Sequence, residues 1–330
     1  MTRILIAGGH GQLGQALAGC HTRLWPSASD KHTAELDHLP ALPPLSVSTQ
    51  ALQLILLSHQ ELDITQGVSI ARALDHYQAD VVINTAAYTA VDKAESEPDT
   101  AHLINGIAPG LLATACAERG IGLIHVSTDY VFDGLAKQPY TEDAPTQPAS
   151  VYGQSKLAGE QEVLATLPSA VILRTSWVFS QFGNNFLKTM LRLGQERTEL
   201  NIVDDQIGGP SYAPHIAQVL LQLAERLYES KQGSGKQQSP SGVFHFAGQP
   251  SVSWYGFAQE IFDQAVKLGL LTQAPRLTAI STSQYPTPAK RPAQSSLQQG
   301  RLDALLGTEH IERNWQQGIE RSLLALKQMR

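Results

Sequence analysis

The sequence predicts an α/β fold of the Rossmann type, a doubly wound parallel sheet with a smaller α/β substrate-binding lobe. Three observations lead there. Short β-branched apolar runs alternate with helix-period segments as far as about residue 176, a glycine triplet follows the first run, and Gly, Asn and Pro punctuate the chain beyond it.

The runs, in order, are RILIA (3–7), LQLILL (52–57), DVVINTA (80–86), GLIHVST (122–128) and AVILRTS (170–176). Each has strand length, and helical patterns lie between them, which reads as successive βαβ units. Past residue 176, stretches such as FGNN, QIGGPSYAP and PTPAKRPAQS interrupt helices expected at 213–228, 253–268 and 312–328. The expected organisation is a dinucleotide-binding domain over 1–176, completed by the helix at about 211–229. A substrate-binding lobe would take 177–210 and 230–330. Residues 21–50, with four prolines, and SKQGSGKQQSPSG (230–242) read as surface insertions.

Composition excludes several classes. With 330 residues and 42% apolar side chains the chain can bury a large core, and 24 basic against 30 acidic residues leave no global footprint for nucleic acid. No apolar run approaches membrane-spanning length, and the start of the sequence enters a strand pattern without a basic leader, so a cytoplasmic protein is expected. Cys20 and Cys116 fall in helical patterns with no metal-ligand spacing and read as small buried residues.

Gly8, Gly11 and Gly14 form a G-x-x-G-x-x-G pattern between the first strand and the first helix. Such a loop lets a pyrophosphate approach the backbone and the helix N-terminus. An acid ending the second strand would favour the free ribose 2′-hydroxyl of NAD, but Ser58 and His59 stand there. NADPH is therefore expected, with NADH possible. Asp63 and Ile64 follow; Asp63 reads equally as an adenosine contact or as a turn acid.

The chemical end is SVYGQSKLAGE (150–160), where Ser150 caps a helix and Tyr152 and Lys156, four residues apart, share one face. Glu160 reads as a water-facing residue. Ser127, Thr128 and Asp129 lie at the carboxyl end of the fourth strand, where ligands sit in open α/β sheets. A hydroxyl there can bind a carbonyl oxygen. A tyrosine, with its usual pKa of about 10, can donate a proton near neutral pH if a cation such as Lys156 stabilises the phenolate.

The glycine loop, NTAAYTAVDKAE (84–95), STDYVFDG (127–134), YGQSK (152–156), RTSWVF (174–179) and DDQIGGP (204–210) together resemble the extended short-chain dehydrogenase/reductases. More narrowly they resemble the dTDP-4-dehydrorhamnose reductase family, over nearly the whole chain apart from the two insertions. The resemblance implies an NADPH-dependent reduction of dTDP-4-dehydro-L-rhamnose to dTDP-L-rhamnose for polysaccharide synthesis. It makes Tyr152 the proton donor to the sugar O4, Lys156 its tuner and a ribose ligand, and Thr128 the hydroxyl that orients the keto oxygen. It also places Gly11, Gln12 and Leu13 at the pyrophosphate, Asp63 and Ile64 at the adenosine, and Ala86, Ala87 and Tyr88 at the cofactor. Asp129 and Trp177 would touch the sugar nucleotide.

Lys290 and Arg291 either face a substrate diphosphate or are exposed without a role. Asn105 matches an asparagine common in the family or is simply a helix-interior residue, and His245 reads as a satisfied strand histidine. Some relatives dimerise around Mg2+ held by three glutamates. Ala16, Pro214 and Gln316 stand at those positions, so no metal site is expected, and a monomer or a homodimer without that bridge follows. Two other readings of the residues stay open. One is a reductase or epimerase acting on another nucleotide sugar; the other is a non-catalytic regulatory subunit that keeps the fold, like that of methionine adenosyltransferase.

Overall fold

The first half of the chain alternates strand and helix: β1 (Thr2–Ala7), α1 (Gln12–Leu24), β2 (Leu52–Leu57), α2 (Gly67–Tyr77) and β3 (Val81–Asn84). The short helices α3 (Val91–Ala94) and α4 (Pro98–His102) lead through a π turn, Leu103–Ile107, into α5 (Ala108–Arg119). Then come β4 (Gly122–Thr128), a 3-10 turn (Asp129–Val131), α6 (Val151–Thr166) and β5 (Val171–Thr175). The remainder comprises β6 (Val178–Phe179), α7 (Phe186–Glu196), β7 (Glu199–Val203), β8 (Ile207–Gly208), β9 (Ser211–Tyr212) and α8 (Ala213–Lys231). It ends with β10 (Gly242–Phe246), β11 (Val252–Ser253), α9 (Trp254–Lys267), β12 (Arg276–Ile280), α10 (Gly300–Leu306) and α11 (Trp315–Gln328). This computed structural model describes residues 2–24, 52–233 and 239–329.

Six strands form one parallel sheet in the order β2-β1-β3-β4-β5-β10. The order reverses at β1, and the loops after β1 and β3 therefore diverge into a crevice, the place such sheets bind ligands. Successive residues of β1 serve opposite cores: Ile4 and Ile6 pack with Leu17 of α1 and Leu220 of α8, while Leu5 and Ala7 pack with Ile70 of α2 and Leu112 of α5. Because both faces are covered, the strands read as continuous apolar runs rather than alternating ones. Cys20 and Cys116 are buried and unbridged, and burial pushes the Cys116 thiol up to about 12.

The sixth strand, β10, was not among the runs assigned to the sheet; it carries His245 and pairs with β5. The two expected insertions are shorter than their sequence bounds. Helix α1 continues to Leu24, Ser230 and Lys231 still belong to α8, and Gly242 already opens β10. The parts at 25–50 and 234–238 lie outside the described residues. A third core joins Leu187 and Met190 of α7, Phe257 and Ile261 of α9, and Trp315 and Ile319 of α11, beside the parallel pair β7–β12.

Helix α6 is held tightly. The Ser150 hydroxyl accepts the Gly153 N–H at 3.2 Å, as its cap position predicts. A Cβ on Gly153 would lie 2.2 Å from the Tyr130 carbonyl oxygen, and one on Gly159 would lie 2.1 Å from that of Asn105. Two bare positions thus let the helix touch both the turn after β4 and the π turn before α5.

Glu160 does not face water: it is 2% exposed, and the Arg174 guanidinium of β5 donates to it through Nε at 2.9 Å and Nη2 at 2.6 Å. The sequence reading failed because Glu160 lies on the face of α6 that meets Arg174 of β5, while the solvent face of the helix falls at Gln154, Gln161, Glu162 and Ala165. Removing one partner of a buried ion pair strands the other charge, at a cost of about 3–5 kcal/mol. Glu160→Ala should therefore lower unfolding free energy by about that amount in urea. Glu160→Ala with Arg174→Met should recover most of it; a double variant no more stable than the single one would show that the pair itself is not what is lost.

Candidate active site

The carboxyl ends of the strands open onto a cleft of about 1670 Å³. Gly8, Gly11, Gln12, Leu13, Asp63, Ile64, Ala86 and Ala87 line its nucleotide end. Thr128, Asp129, Tyr152, Lys156 and Trp177 line it too, so residues far apart in sequence share one space. Gly14 and Tyr88 do not border it. Gly14 instead permits packing, since a Cβ there would stand 2.3 Å from the Gly9 carbonyl oxygen.

Tyr88 is clamped from behind. Its N–H donates to Asn105 Oδ1 at 2.8 Å, its carbonyl accepts from Asn105 Nδ2 at 3.0 Å, and its hydroxyl donates to Glu97 at 2.8 Å. Asn105, fully buried in the π turn, therefore shapes the loop after β3, and Nδ2 also donates to Ser155 on α6 at 3.1 Å. An asparagine in the middle of a helical pattern was the available signal, because its side chain must find partners when buried.

The loop from β1 to α1 fits a dinucleotide diphosphate. It turns through Gly8 at φ 80°, carries no side chain at three of its positions, and ends in the N–H groups of the first turn of α1. At the end of β2 the structure adds a carboxylate that the strand itself lacks. Glu61 Oε2 accepts the Ser58 N–H at 2.8 Å and the Ser58 hydroxyl at 2.7 Å, and these bonds hold the Glu61 carboxyl below its ordinary range. Asp63 Oδ1 accepts from the Thr65 N–H at 3.0 Å and hydroxyl at 2.7 Å, which lowers its pKa, and so Asp63 serves as a turn acid while also bordering the cleft.

At the chemical end, burial pushes the Tyr152 phenol well above its usual value; the hydrogen bond of Thr128 pulls it down, and Asp129 and Tyr130 push it up. Lys156 is 2% exposed, and burial lowers its ammonium to about 8 against the raising influence of Glu160. Its Nζ donates to the Val126 carbonyl at 2.8 Å and lies 3.2 Å from His125 Nε2. The lysine that spacing pairs with the phenol thus has its nitrogen tied to β4. His125 went unnoticed in the sequence because a histidine inside a strand run looks like any core residue.

Thr128 donates to Asp129 Oδ1 at 3.0 Å. Asp129 is fully enclosed, with Oδ2 lacking a partner among the described residues, and burial raises its carboxyl to about 7. Trp177 adopts φ 47°, a left-handed conformation costly for a large side chain. Its indole stacks on Trp254 with centroids 3.5 Å apart and planes 6° off parallel, and both rings line the cleft. Trp254 also escaped the sequence reading; it starts α9, where Ser253 caps the helix.

Arg291 borders the cleft, held by Asp92 at 2.6 Å and donating to the Tyr130 hydroxyl at 3.2 Å, whereas Lys290 is exposed. His245 is buried in β10 with Nδ1 3.0 Å from the Gln298 carbonyl and burial pushing it down to about 3; its Nε2 has no partner among the described residues. Ala16 and Pro214 are buried, and Gln316 lies in the first turn of α11. No group of three or more His, Cys, Asp or Glu among the described residues could hold a metal ion. No helix among the described residues is long and apolar enough to cross a membrane.

Comparison with known proteins gives consistent matches. The RmlD substrate binding domain family matches residues 1–328. The dTDP-4-dehydrorhamnose reductase of Aggregatibacter actinomycetemcomitans is 40% identical over 320 residues, 97% of this chain and 98% of that protein. Among solved structures, a dTDP-4-dehydrorhamnose reductase from Clostridium acetobutylicum superposes with a TM-score of 0.80 at 34% identity, covering 99% of this chain and 100% of that one. The Bacillus anthracis enzyme, solved in complex with NADP, has a TM-score of 0.79 at 31% identity, covering 98% and 99%.

Asp129 makes a pH prediction. Its folded-state pKa of about 7 lies above the ordinary 3.8, so the folded protein holds the proton more tightly than the unfolded chain. The associated stability is fully present below about pH 4 and is lost as pH rises through about 7, a swing of roughly 4 kcal/mol. Asp129→Asn should flatten the part of the urea-unfolding profile that falls between pH 4 and 7. An unchanged slope would place the titration elsewhere.

Proposed function

The chain belongs to the dTDP-4-dehydrorhamnose reductase family, and on that premise we propose that it reduces the C4 keto group of dTDP-4-dehydro-L-rhamnose with NADPH, giving dTDP-L-rhamnose for polysaccharide synthesis. The observation that carries the reading is that Thr128, Tyr152 and Lys156 meet in the same cleft as the glycine loop. Bound there, NADPH supplies the hydride that the keto carbon accepts. The protein supplies the rest. The loop at Gly8, Gly11, Gln12 and Leu13 holds the diphosphate, with Ala86 and Ala87 beside it. Thr128 turns its hydroxyl from Asp129 to the keto oxygen and fixes its direction. Tyr152, whose raised pKa keeps it protonated at neutral pH, gives its proton to O4 as negative charge develops there. Lys156 binds the ribose and, when charged, steadies the phenolate. Asp129 and the Trp177–Trp254 wall contact the sugar nucleotide, and Arg291 suits its diphosphate. In this reading the enzyme works in the cytoplasm, as a monomer or as a homodimer without a metal bridge.

Two measurements test it. Purified protein mixed with the keto-sugar nucleotide and NADPH should oxidise the cofactor; no absorbance loss above blank ends the reading. Tyr152→Phe should lower kcat by at least about 100-fold while leaving NADP+ binding within about threefold, as expected when only the proton donor is removed. A proportionate loss of both would mean that the phenol is structural.

Cofactor preference follows from Glu61, whose carboxylate occupies the donors that a 2′-phosphate would use. Glu61→Gln should raise the ratio of kcat/KM for NADPH over NADH by roughly two- to fivefold, the scale of an exposed charge contact. An unchanged ratio would remove Glu61 from cofactor choice.

A further inference from the structure

The buried side chains behind Lys156 carry a proton count that decides its charge. The carboxamide of Asn84, at the end of β3, has a fixed orientation: its Oδ1 accepts the Ala86 N–H at 3.1 Å. Its Nδ2 then donates to His125 Nδ1 at 3.0 Å. Neutral imidazole has one N–H, and with Nδ1 accepting, that hydrogen sits on Nε2. Nε2 faces the Lys156 nitrogen at 3.2 Å. Two hydrogen donors cannot satisfy one another. An uncharged amine can: its lone pair accepts from Nε2, one hydrogen goes to the Val126 carbonyl at 2.8 Å, and the other is left for the cleft.

A doubly protonated imidazole does not resolve the count. His125 is 0% exposed, and burial pushes its pKa well below the ordinary value. Charging Lys156 instead requires His125 to carry its hydrogen on Nδ1, which obliges Asn84 to turn and release the Ala86 N–H. Ala86 lines the cofactor end of the cleft, so the lysine charge and a cofactor-facing backbone donor are two ends of one relay.

We propose that His125 is a positioning residue that holds Lys156 uncharged in the arrangement described here, and that dinucleotide binding charges the lysine with one proton taken from solvent. The imidazole stays neutral throughout and only changes tautomer, so the net gain is one proton on Nζ. The phosphates of a dinucleotide and a hydrogen-bond acceptor for the freed Ala86 N–H both favour that second state. The inference rests on the functional reading above, since it needs the cofactor in this cleft.

The other charged groups near Lys156 are accounted for. On its own helix, Glu160 raises its proton affinity but is bound by Arg174 of β5. From the 3-10 turn, Asp129 and Tyr130 act on Tyr152. From the α3 side, Glu95 accepts the Val151 N–H, and from the π turn the nearest partner, Asn105, is uncharged. Glu162 packs toward Gly110 of α5. None supplies the lone pair that His125 lacks.

The test is calorimetric binding of NADP+ to the intact protein at about pH 7 in two buffers of different ionisation enthalpy, which counts the protons taken up per cofactor bound. Roughly half a proton or more is expected for the wild type if the His125 N–H holds the lysine uncharged, against about a tenth if burial alone, which leaves it near 8, sets its charge. His125→Asn keeps an acceptor for Asn84 but withdraws the N–H from Lys156, so burial alone sets its lysine, which is about nine-tenths charged beforehand, and uptake should fall to about a tenth of a proton while binding persists. A purely structural histidine would alter stability and leave the proton count alone. Binding without uptake in the wild type overturns the proposal, as does equal uptake in His125→Asn. If that variant does not fold, the wild-type count decides. Absence of NADP+ binding by the wild type would instead be a failure of the functional reading.

Discussion

Everything at the chemical end depends on how closely α6 approaches the carboxyl end of β4. That approach is possible because positions 153 and 159 carry no side chain: a single Cβ at either would meet a backbone oxygen at 2.2 or 2.1 Å. Backbone against backbone leaves little room for the helix to slide or rotate. Tyr152 and Lys156 are therefore aimed by contacts made elsewhere on the helix, which is how a site gains precision without spending its own side chains on it.

The closeness has an electrostatic consequence. With the helix pressed on β4 and β5, the face bearing Tyr152, Lys156 and Glu160 is almost dry. Glu160 is neutralised by Arg174, and Lys156 finds a carbonyl and an imidazole. Tyr152 keeps its proton. Burial sets the states of Lys156 and Tyr152 by disfavouring the charged form of each, which brings the lysine toward neutrality and drives the phenol away from ionisation. The proton relay through His125 and Asn84 then links this face to the loop after β3. Asn105 holds the same loop from behind, through both backbone groups of Tyr88.

Much of this was legible in the sequence, for identifiable reasons. Four of the six sheet strands are almost wholly buried, so their apolar runs stand out; β10, read as a strand at His245, was left out of the sheet because GVFHF lies far beyond the alternating series, in what reads as the second lobe. The Ser150 cap and the Tyr152–Lys156 spacing are local, and local signals survive folding. Most of what the sequence hid was non-local. Glu160 looked solvated because its partner is fourteen residues away on a neighbouring strand. Glu61 reaches back to Ser58 through a turn that strand-end logic does not anticipate. His125, Asn105 and Trp254 acquire meaning only from what packs against them.

The account's central claim is that the rigid start of α6 brings its proton donor to the same reacting oxygen as the orienting hydroxyl at the end of β4. A crystal structure of the protein with NADP+ and dTDP-L-rhamnose measures this most directly. The claim predicts the sugar O4 within hydrogen-bond reach, about 2.6–3.2 Å, of both Tyr152 Oη and Thr128 Oγ1. A sugar bound with O4 directed away from Tyr152, or contacted by a different proton donor, would contradict it.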